Sequence, residues 1–349
     1  MALPCPARNA QVRRDFGDDM TDSVYDVVAV GNAIVDVLHR TSDEFLAQNT
    51  IAKGGMTLID EARADALTAL FDGAVIAAGG SAANTVTGVA SFGGRAAYIG
   101  KVANDALGAR FTQEFRAAGV SYDSPARALP PGTARCLIAV TPDGQRSMST
   151  YLGASTLLEP SDIDGALIAA GAITFLEGYL FDRDEAKAAF VRAAEFARAA
   201  ERKVALTLSD TFCVDRHRAS FRHLVAGHID ILFANEAEIL SLYETRSLED
   251  ALQAAQRDCP IVAVTRSEHG SVIMANDELL HVAAAPVARV IDTTGAGDLY
   301  AAGFLYGLAK GRGLAACGAL GSLAAAEVIS HMGPRPETNL AALAKKAGL

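Results

Sequence analysis

The chain has 349 residues, half of them hydrophobic and 21% charged, with a formal net charge of −10. That is enough apolar material for one large α/β domain or two smaller ones. The acidic balance argues against an extended nucleic-acid surface or an anionic membrane as partner, while leaving room for a small basic pocket.

Five cysteines (Cys5, Cys136, Cys213, Cys259, Cys317) are scattered, never in Cys-x-x-Cys, and read as free thiols of a reducing cytosol. His217, His223 and His228 stand among Arg216, Arg218 and Arg222, a solvated helix face rather than a metal site. Residues 1–22 have neither periodicity nor an apolar signal region, so a disordered or weakly docked leader is expected.

Tyr25 to Val30 is a continuous apolar run, the mark of a central parallel strand, and Gly31-Asn32 ends it. Asp36 follows at the carboxyl side, where open α/β sheets bind ligands. It is either a turn residue or a carboxylate placed to accept bonds from two neighbouring hydroxyls of a sugar. Asp43 to Gln48 suggests a short helix, Met56 to Ile59 an extended stretch, and Glu61 to Phe71 a second helix. Val75 to Ala78 then leads into Gly79-Gly80-Ser81-Ala82-Ala83-Asn84, with Ser81 a natural N-cap for a helix closed by Gly93-Gly94. A strand-to-helix turn explains those glycines but not Asn84.

Phe111 to Ala118 is amphipathic, and Thr133–Thr141 and Arg146–Leu152 flank Pro142-Asp143-Gly144 as a hairpin. Arg146 is either a solvated hairpin charge or a group that swings over a transferred phosphate. From Pro160 onward strands and helices alternate regularly, which predicts a parallel sheet covered on both faces. Its strands are Ala172–Leu176, ending in Glu177-Gly178-Tyr179, then Val204–Leu208, Ile229–Ala234, Ile261–Thr265 and Ser271–Met274. Asn235-Glu236-Ala237-Glu238 has the spacing of a capping box and equally supplies the amide and carboxylate of a water-mediated Mg²⁺ site.

Val287, Val290 and Ile291 read as a buried strand entering Asp292-Thr293-Thr294-Gly295-Ala296-Gly297-Asp298, after which Leu299 onward is helical. The first amides of a helix have no intrahelical acceptor and the macrodipole is positive there, so this turn is an anion cradle. Asp298 is either one more N-terminal acid or, with Thr293 and Thr294 available as caps, a spare carboxylate beside the cradle. The second arrangement is what phosphoryl transfer to a hydroxyl requires. No Gly-x-x-x-x-Gly-Lys-Ser/Thr is present, and Tyr300 replaces the third glycine of a dinucleotide fingerprint. The alanine-rich Leu314–Ile329 is interrupted by Gly318, Gly321, Ser322 and Glu327, hence a buried helix rather than a membrane span.

Asp292-Thr-Thr-Gly-Ala-Gly-Asp298 resembles the C-terminal signature of the ribokinase-like (PfkB) family of carbohydrate and nucleoside kinases, and Gly79–Asn84 resembles its N-terminal signature. The likeness runs from Tyr25 to Pro336. It implies a ribokinase-like three-layer α/β/α domain with a mostly parallel central sheet, plus a small β-rich lid. The large domain would comprise 23–37, 61–130 and 156–349, and the lid 38–60 and 131–155.

The resemblance further implies roles. Asp298 would be the catalytic base, with Gly295, Ala296 and Gly297 as the anion hole. Asn32, Asp36, Gly79, Gly80 and Asn84 would hold a sugar, and Ile34, Met148 and Tyr179 would line a base slot. Arg146, Asn235, Thr265, Gly270 and Thr294 would face ATP phosphates, Glu238 would hold Mg²⁺ through water, and Asp292 would mark a K⁺ site. Several stretches, among them Gly31-Asn32-Ala-Ile-Val-Asp36 and Asp230-Ile-Leu-Phe-Ala-Asn-Glu236, look like the adenosine kinases of this family. The expected reaction is ATP-dependent phosphorylation of a nucleoside 5′-hydroxyl in the cytoplasm. A sugar kinase and a catalytically silent nucleoside sensor are the alternatives. The assembly would be a monomer or a homodimer paired through the lid.

Overall fold

The computed structural model describes residues 23–128 and 130–349, so the expected leader lies outside the described residues. Fourteen strands run among the described residues in chain order: β1 (Tyr25–Val30), β2 (Ile34–Arg40), β3 (Met56–Leu58), β4 (Val75–Gly79), β5 (Ala96–Ile99), β6 (Val120–Ser121), β7 (Ala134–Val140), β8 (Arg146–Tyr151), β9 (Gly171–Glu177), β10 (Lys203–Thr207), β11 (Ile231–Asn235), β12 (Ile261–Thr265), β13 (Ser271–Ala275) and β14 (Glu278–Val282). Nine form one sheet in the order β14-β13-β12-β11-β10-β9-β1-β5-β6, and five form a second in the order β3-β8-β7-β2-β4.

The larger sheet is parallel from β12 to β6, and only β13 is reversed, pairing antiparallel with β12 on one side and β14 on the other. A strand between two parallel neighbours must hide both faces, which is why β1 is apolar throughout Val27–Val30. Val27 and Ala29 pack under the helices Ser81–Ser91, Ala296–Ala309 and Leu314–Val328. Val28 and Val30 face the helices Asp184–Ala199 and Thr211–His228. The result is the three-layer α/β/α architecture with a mostly parallel sheet.

The smaller sheet is mixed. β2 pairs parallel with β7 and antiparallel with β4. Its one face carries Val37, Leu137 and Ala139 under the helices Asp43–Gln48 and Glu61–Thr68, and its other face carries Ile34, Cys136, Ile138 and Met148. The pairing differs from the expected partition at two places: β2 begins at Ile34, and β4, expected in the large domain, is an edge strand of the small sheet. An apolar run leading into a glycine turn looks the same whichever sheet recruits it.

Two further local readings are corrected. The run Val287–Ile291 forms no strand; Val290 and Ile291 are 55% and 39% exposed, and the segment is tied back through Ile291 N–H to the Ile329 carbonyl at 2.8 Å. The sheet already ends at β14, so these side chains have no strand to join, and Val287 and Val290 instead line the cleft described below. The N-cap before Ala82 is Gly80, at φ +104°, not Ser81, which is the first helical residue. A side chain at Gly80 would run into the Asn32 carbonyl, so only glycine fits both the angle and the space.

The helices Ala296–Ala309 and Leu314–Val328 cross closely through small residues. A Cβ on Gly303 would lie 2.6 Å from the Gly321 nitrogen, against backbone rather than a flexible side chain. Helix propensity alone favours alanine there by about 1 kcal/mol, whereas overpacking a core contact costs about 1–3 kcal/mol. Gly303→Ala is therefore expected to lower the urea midpoint. An unchanged or raised midpoint would show that the crossing has slack.

Candidate active site

The carboxyl ends of the central strands open into one cleft of about 1250 Å³, bounded across from them by the small sheet. Asn32, Ile34, Asp36, Gly80, Asn84, Met148, Tyr179, Asn235, Glu238, Thr265, Gly270 and the turn Thr294–Asp298 all line it. Gly79, Arg146 and Asp292, also expected at the site, lie behind this surface. Gly79 leaves room for the Asp36 carboxylate, which a Cβ at that position would strike.

The glycine turn gives the cradle its form. Gly295, at φ +80°, starts the helix, and no side chain caps it. Added bulk there would press on Pro334, whereas the space beside Gly297 is open. The Ala296 N–H already donates to the Thr293 carbonyl at 3.3 Å. Among the described residues no acceptor takes the amides of Gly297 and Asp298, so these two carry the anion-binding potential. Thr294 does not cap the helix: its N–H and hydroxyl bind Asp292 Oδ1 at 3.0 and 2.7 Å.

Asp298 is fixed from the opposite helix. Ser81 Oγ donates to its Oδ1 at 2.6 Å and Asn84 Nδ2 to its Oδ2 at 2.9 Å. Burial pushes its carboxyl up to about 6, although both hydrogen bonds pull the other way. The Asp36 carboxylate also sits at about 6: burial dominates, Arg335 and Arg146 oppose it and Asp298 adds to it. No donor among the described residues reaches the Asp36 side chain, which leaves its oxygens for a ligand.

Arg146 crosses from the small sheet to the loop before the cradle, donating to Asp292 and, at 2.7 Å, to Thr294 Oγ1. Its Nε and Nη2 stay buried and without an acceptor. Asp292 also accepts from Gly333 N–H at 2.9 Å. Burial would raise the Asp292 carboxyl, but the bonds from Gly333 and Thr294 and the Arg146 charge outweigh it and hold it below its usual value. With donors on both oxygens, this carboxylate does not fit a K⁺ ion.

Asn235 and Glu238 form a full capping box: Glu238 N–H donates to Asn235 Oδ1 at 2.8 Å, while Asn235 N–H and Nδ2 donate to Glu238 at 2.9 and 2.6 Å. Cap and site readings are compatible, because each Glu238 oxygen keeps a lone pair. Burial pushes Glu238 up to about 7, opposed by the Asn235 N–H and reinforced by Asp210 and Asp298. Nearby cationic charge would relieve that strain, so the pair fits Mg²⁺ held through water. Thr265 and Gly270 lie at the mouth of the β12–β13 turn, where Gly270 at φ +77° packs on the Val282 carbonyl.

Three residues of consequence were not singled out from the sequence. Glu177 ends β9 almost fully buried and is pushed by burial up to about 7, although bonds from Ala82 and Asn32 oppose the shift. A lone acid closing an otherwise apolar strand was its signal. Phe212 is 56% exposed yet lines the cleft, with Arg216 stacked 4.2 Å from its ring centre. Arg335 lies 5.5 Å from the centre of the Phe115 ring, with Nε and Nη2 buried and unpartnered.

Helix amides without a protein acceptor, beside a carboxylate held by two hydrogen bonds, have the chemistry that kinases use, in which a phosphoryl group is held next to an alcohol. The chain belongs to the pfkB family of carbohydrate kinases, whose pattern matches residues 50–340, and it is an ATP-dependent kinase. An adenosine kinase from Sinorhizobium meliloti is 51% identical in a solved structure, covering 93% of this chain and 99% of that one, with a TM-score of 0.87. A probable sugar kinase from Rhizobium etli CFN 42 is 50% identical with the same coverage and a TM-score of 0.88. The adenosine kinase of Saccharomyces cerevisiae is 27% identical over 88% of this chain and 96% of its own length. Among the described residues no helix is long and apolar enough to cross a membrane.

The four raised carboxyls have a consequence for stability. Asp36, Asp298, Glu177 and Glu238 titrate at about 6 to 7 when folded, above their ordinary 3.8 and 4.5. The folded state thus binds their protons more tightly, so their stabilising contribution is complete below about pH 4 and is lost as pH rises through 6 to 7. The ligand-free protein should resist urea better at pH 6 than at pH 8, and Asp298→Asn should flatten that difference. Stability that climbs between pH 6 and 8 would contradict the assignment.

Proposed function

We propose that this kinase transfers the γ-phosphoryl group of ATP to the 5′-hydroxyl of adenosine or a close nucleoside. The reading is carried by one observation: Asp298 is a buried-edge carboxylate, fixed by Ser81 and Asn84, at the mouth of two unoccupied helix amides. A carboxylate in that place takes the proton of an attacking hydroxyl while the amides of Gly297 and Asp298 stabilise charge on the migrating group. A folded value near 6 leaves it ionised at pH 7 yet more basic than an ordinary aspartate.

The sugar would lie over Asn32, Asp36, Gly79-Gly80 and Asn84, where open acceptor oxygens suit hydroxyl donors. Beside it Ile34, Ile138, Met148, Leu152, Tyr179 and the exposed Phe212 ring make an apolar and aromatic wall. Such a wall suits a nucleobase better than a free sugar, which has nothing apolar to place there. The cleft also exceeds the usual 300–1,000 Å³ of a single-ligand pocket, as a site for two substrates must. ATP would lie along Thr265 and Gly270 with the apolar Val287, Val290 and Ile329 of the cleft wall beside it, and Arg146 would reach its phosphates from behind that wall. Mg²⁺, when bound with ATP, supplies charge neutralisation, and Glu238 with Asn235 would hold it through water.

Asp298→Asn should keep ATP affinity and lose roughly 10²–10⁴ in turnover; near-normal turnover would refute the base assignment. Since the base must be ionised, kcat/KM should fall as pH drops below about 6. Phosphorylation of adenosine compared side by side with ribose and fructose decides the acceptor. A preference for a free sugar would replace the nucleoside reading with a sugar kinase.

A further inference from the structure

Asn32 follows the end of β1 and is 1% exposed, yet its Oδ1 has no hydrogen-bond partner. A buried amide oxygen left alone is costly, and at the wall of a cleft the missing partner is a ligand. Which end of an asparagine amide faces a ligand is decided by its other hydrogen bonds. Here that bond runs to Glu177, whose Oε1 accepts from Asn32 Nδ2 at 2.8 Å. The Glu177 Oε2 accepts from the Ala82 N–H at 2.8 Å, and Gly31 is held so close that a Cβ would sit 2.6 Å from this oxygen. The carboxylate is therefore pinned between β1, β9 and the Ser81 helix, with no freedom to turn away.

We propose that Glu177 is a positioning residue for the acceptor substrate: by accepting from Asn32 Nδ2 it points Asn32 Oδ1 at the cleft, so this point of the wall takes only a hydrogen-bond donor. The inference rests on Asn32 being part of the acceptor site and adds why that site selects a hydroxyl or N–H there. Both carboxylate oxygens also face backbone N–H groups, Oε2 that of Ala82 at 2.8 Å and Oε1 that of Asn32 at 3.4 Å, so each is held as an acceptor and the amide must offer its NH₂ inward. The same device recurs at Asn84, whose Nδ2 is committed to Asp298 and whose Oδ1 is likewise buried and unpartnered. Both asparagines thus present bare carbonyl oxygens, and Asp36 adds an unpaired carboxylate. An acceptor-only wall of this kind rejects a ligand position that lacks a proton to give.

Glu177→Gln keeps the volume but brings an NH₂ into the pin. With the oxygen of the new side-chain amide still accepting from Ala82, its NH₂ faces Asn32 and turns that amide over, so that Nδ2 now faces the cleft. Steady-state kinetics on whichever acceptor the wild type phosphorylates should show the acceptor KM rising roughly 10- to 100-fold. The KM for ATP and kcat at saturating acceptor should stay within about threefold. Adding Asn32→Asp exchanges the acid and the amide across the same bond, points an oxygen at the cleft again, and should restore the acceptor KM. Among deoxygenated acceptor analogues, the one lacking the hydroxyl that meets Asn32 should bind less well to the wild type and no worse than the parent acceptor to Glu177→Gln. An unchanged acceptor KM, equal losses for acceptor and ATP, or failure of the double variant to recover would each overturn the proposal. Because the acceptor is established first on the wild type, a failed adenosine assignment leaves this test intact.

Discussion

The hydrogen-bonded grip of one helix start on another organises this molecule. Ser81 and Asn84, on the first turn of one helix, hold the carboxylate of Asp298 on the first turn of the next. Two positive helix ends converge on one acid, and Thr85 Oγ1 adds a bond to the Asp298 carbonyl at 3.1 Å. Convergence is possible only because both helices pack on the same face of the large sheet, beside β1, with little side-chain bulk between them. At Gly88 a Cβ would sit 2.6 Å from Leu299 Cδ1, so the helices meet where glycine allows it. Core packing and site geometry are in this sense one constraint.

Much of this was legible in the sequence for identifiable reasons. The continuous apolar run of β1, the regular strand–helix alternation after Pro160 and the Gly295/Gly297 turn each have one cheap structural solution, and the structure adopts it. Asp36, Asn84 and Asp298 stood out because chain geometry did not need them. What stayed hidden was set by long-range partners. β4 reads like any strand before a glycine turn, and only its pairing with β2 places it in the small sheet. Ser81 has the chemistry of a cap, but the demand of Asp298, 217 positions away, takes its hydroxyl instead. Phe212 and Arg335 carry no local mark, since exposure of an aromatic ring and isolation of a guanidinium are facts of three dimensions.

The site is also where the fold departs from its own stability optimum. Glu177 and Glu238 are taken from water, Asp36 and Asp298 are partly so at the cleft wall, and unpaired nitrogens at Arg146 and Arg335 accompany them. Desolvated charge of this kind weakens a folded chain and strengthens every interaction a substrate then makes. Arg146 shows the balance: bound to Asp292 and Thr294, it still has two donors with nothing to hold.

Four acids poised at about 6 to 7 mean that the protein by itself holds a fraction of a proton on each near neutral pH. Any cationic partner that settles among them lowers those values and expels the fractional protons into the medium, whereas an anion arriving first draws protons in. Ligand association is therefore coupled to buffer ionisation, and the heat released on mixing will vary with the enthalpy of the buffer chosen even where the affinity does not.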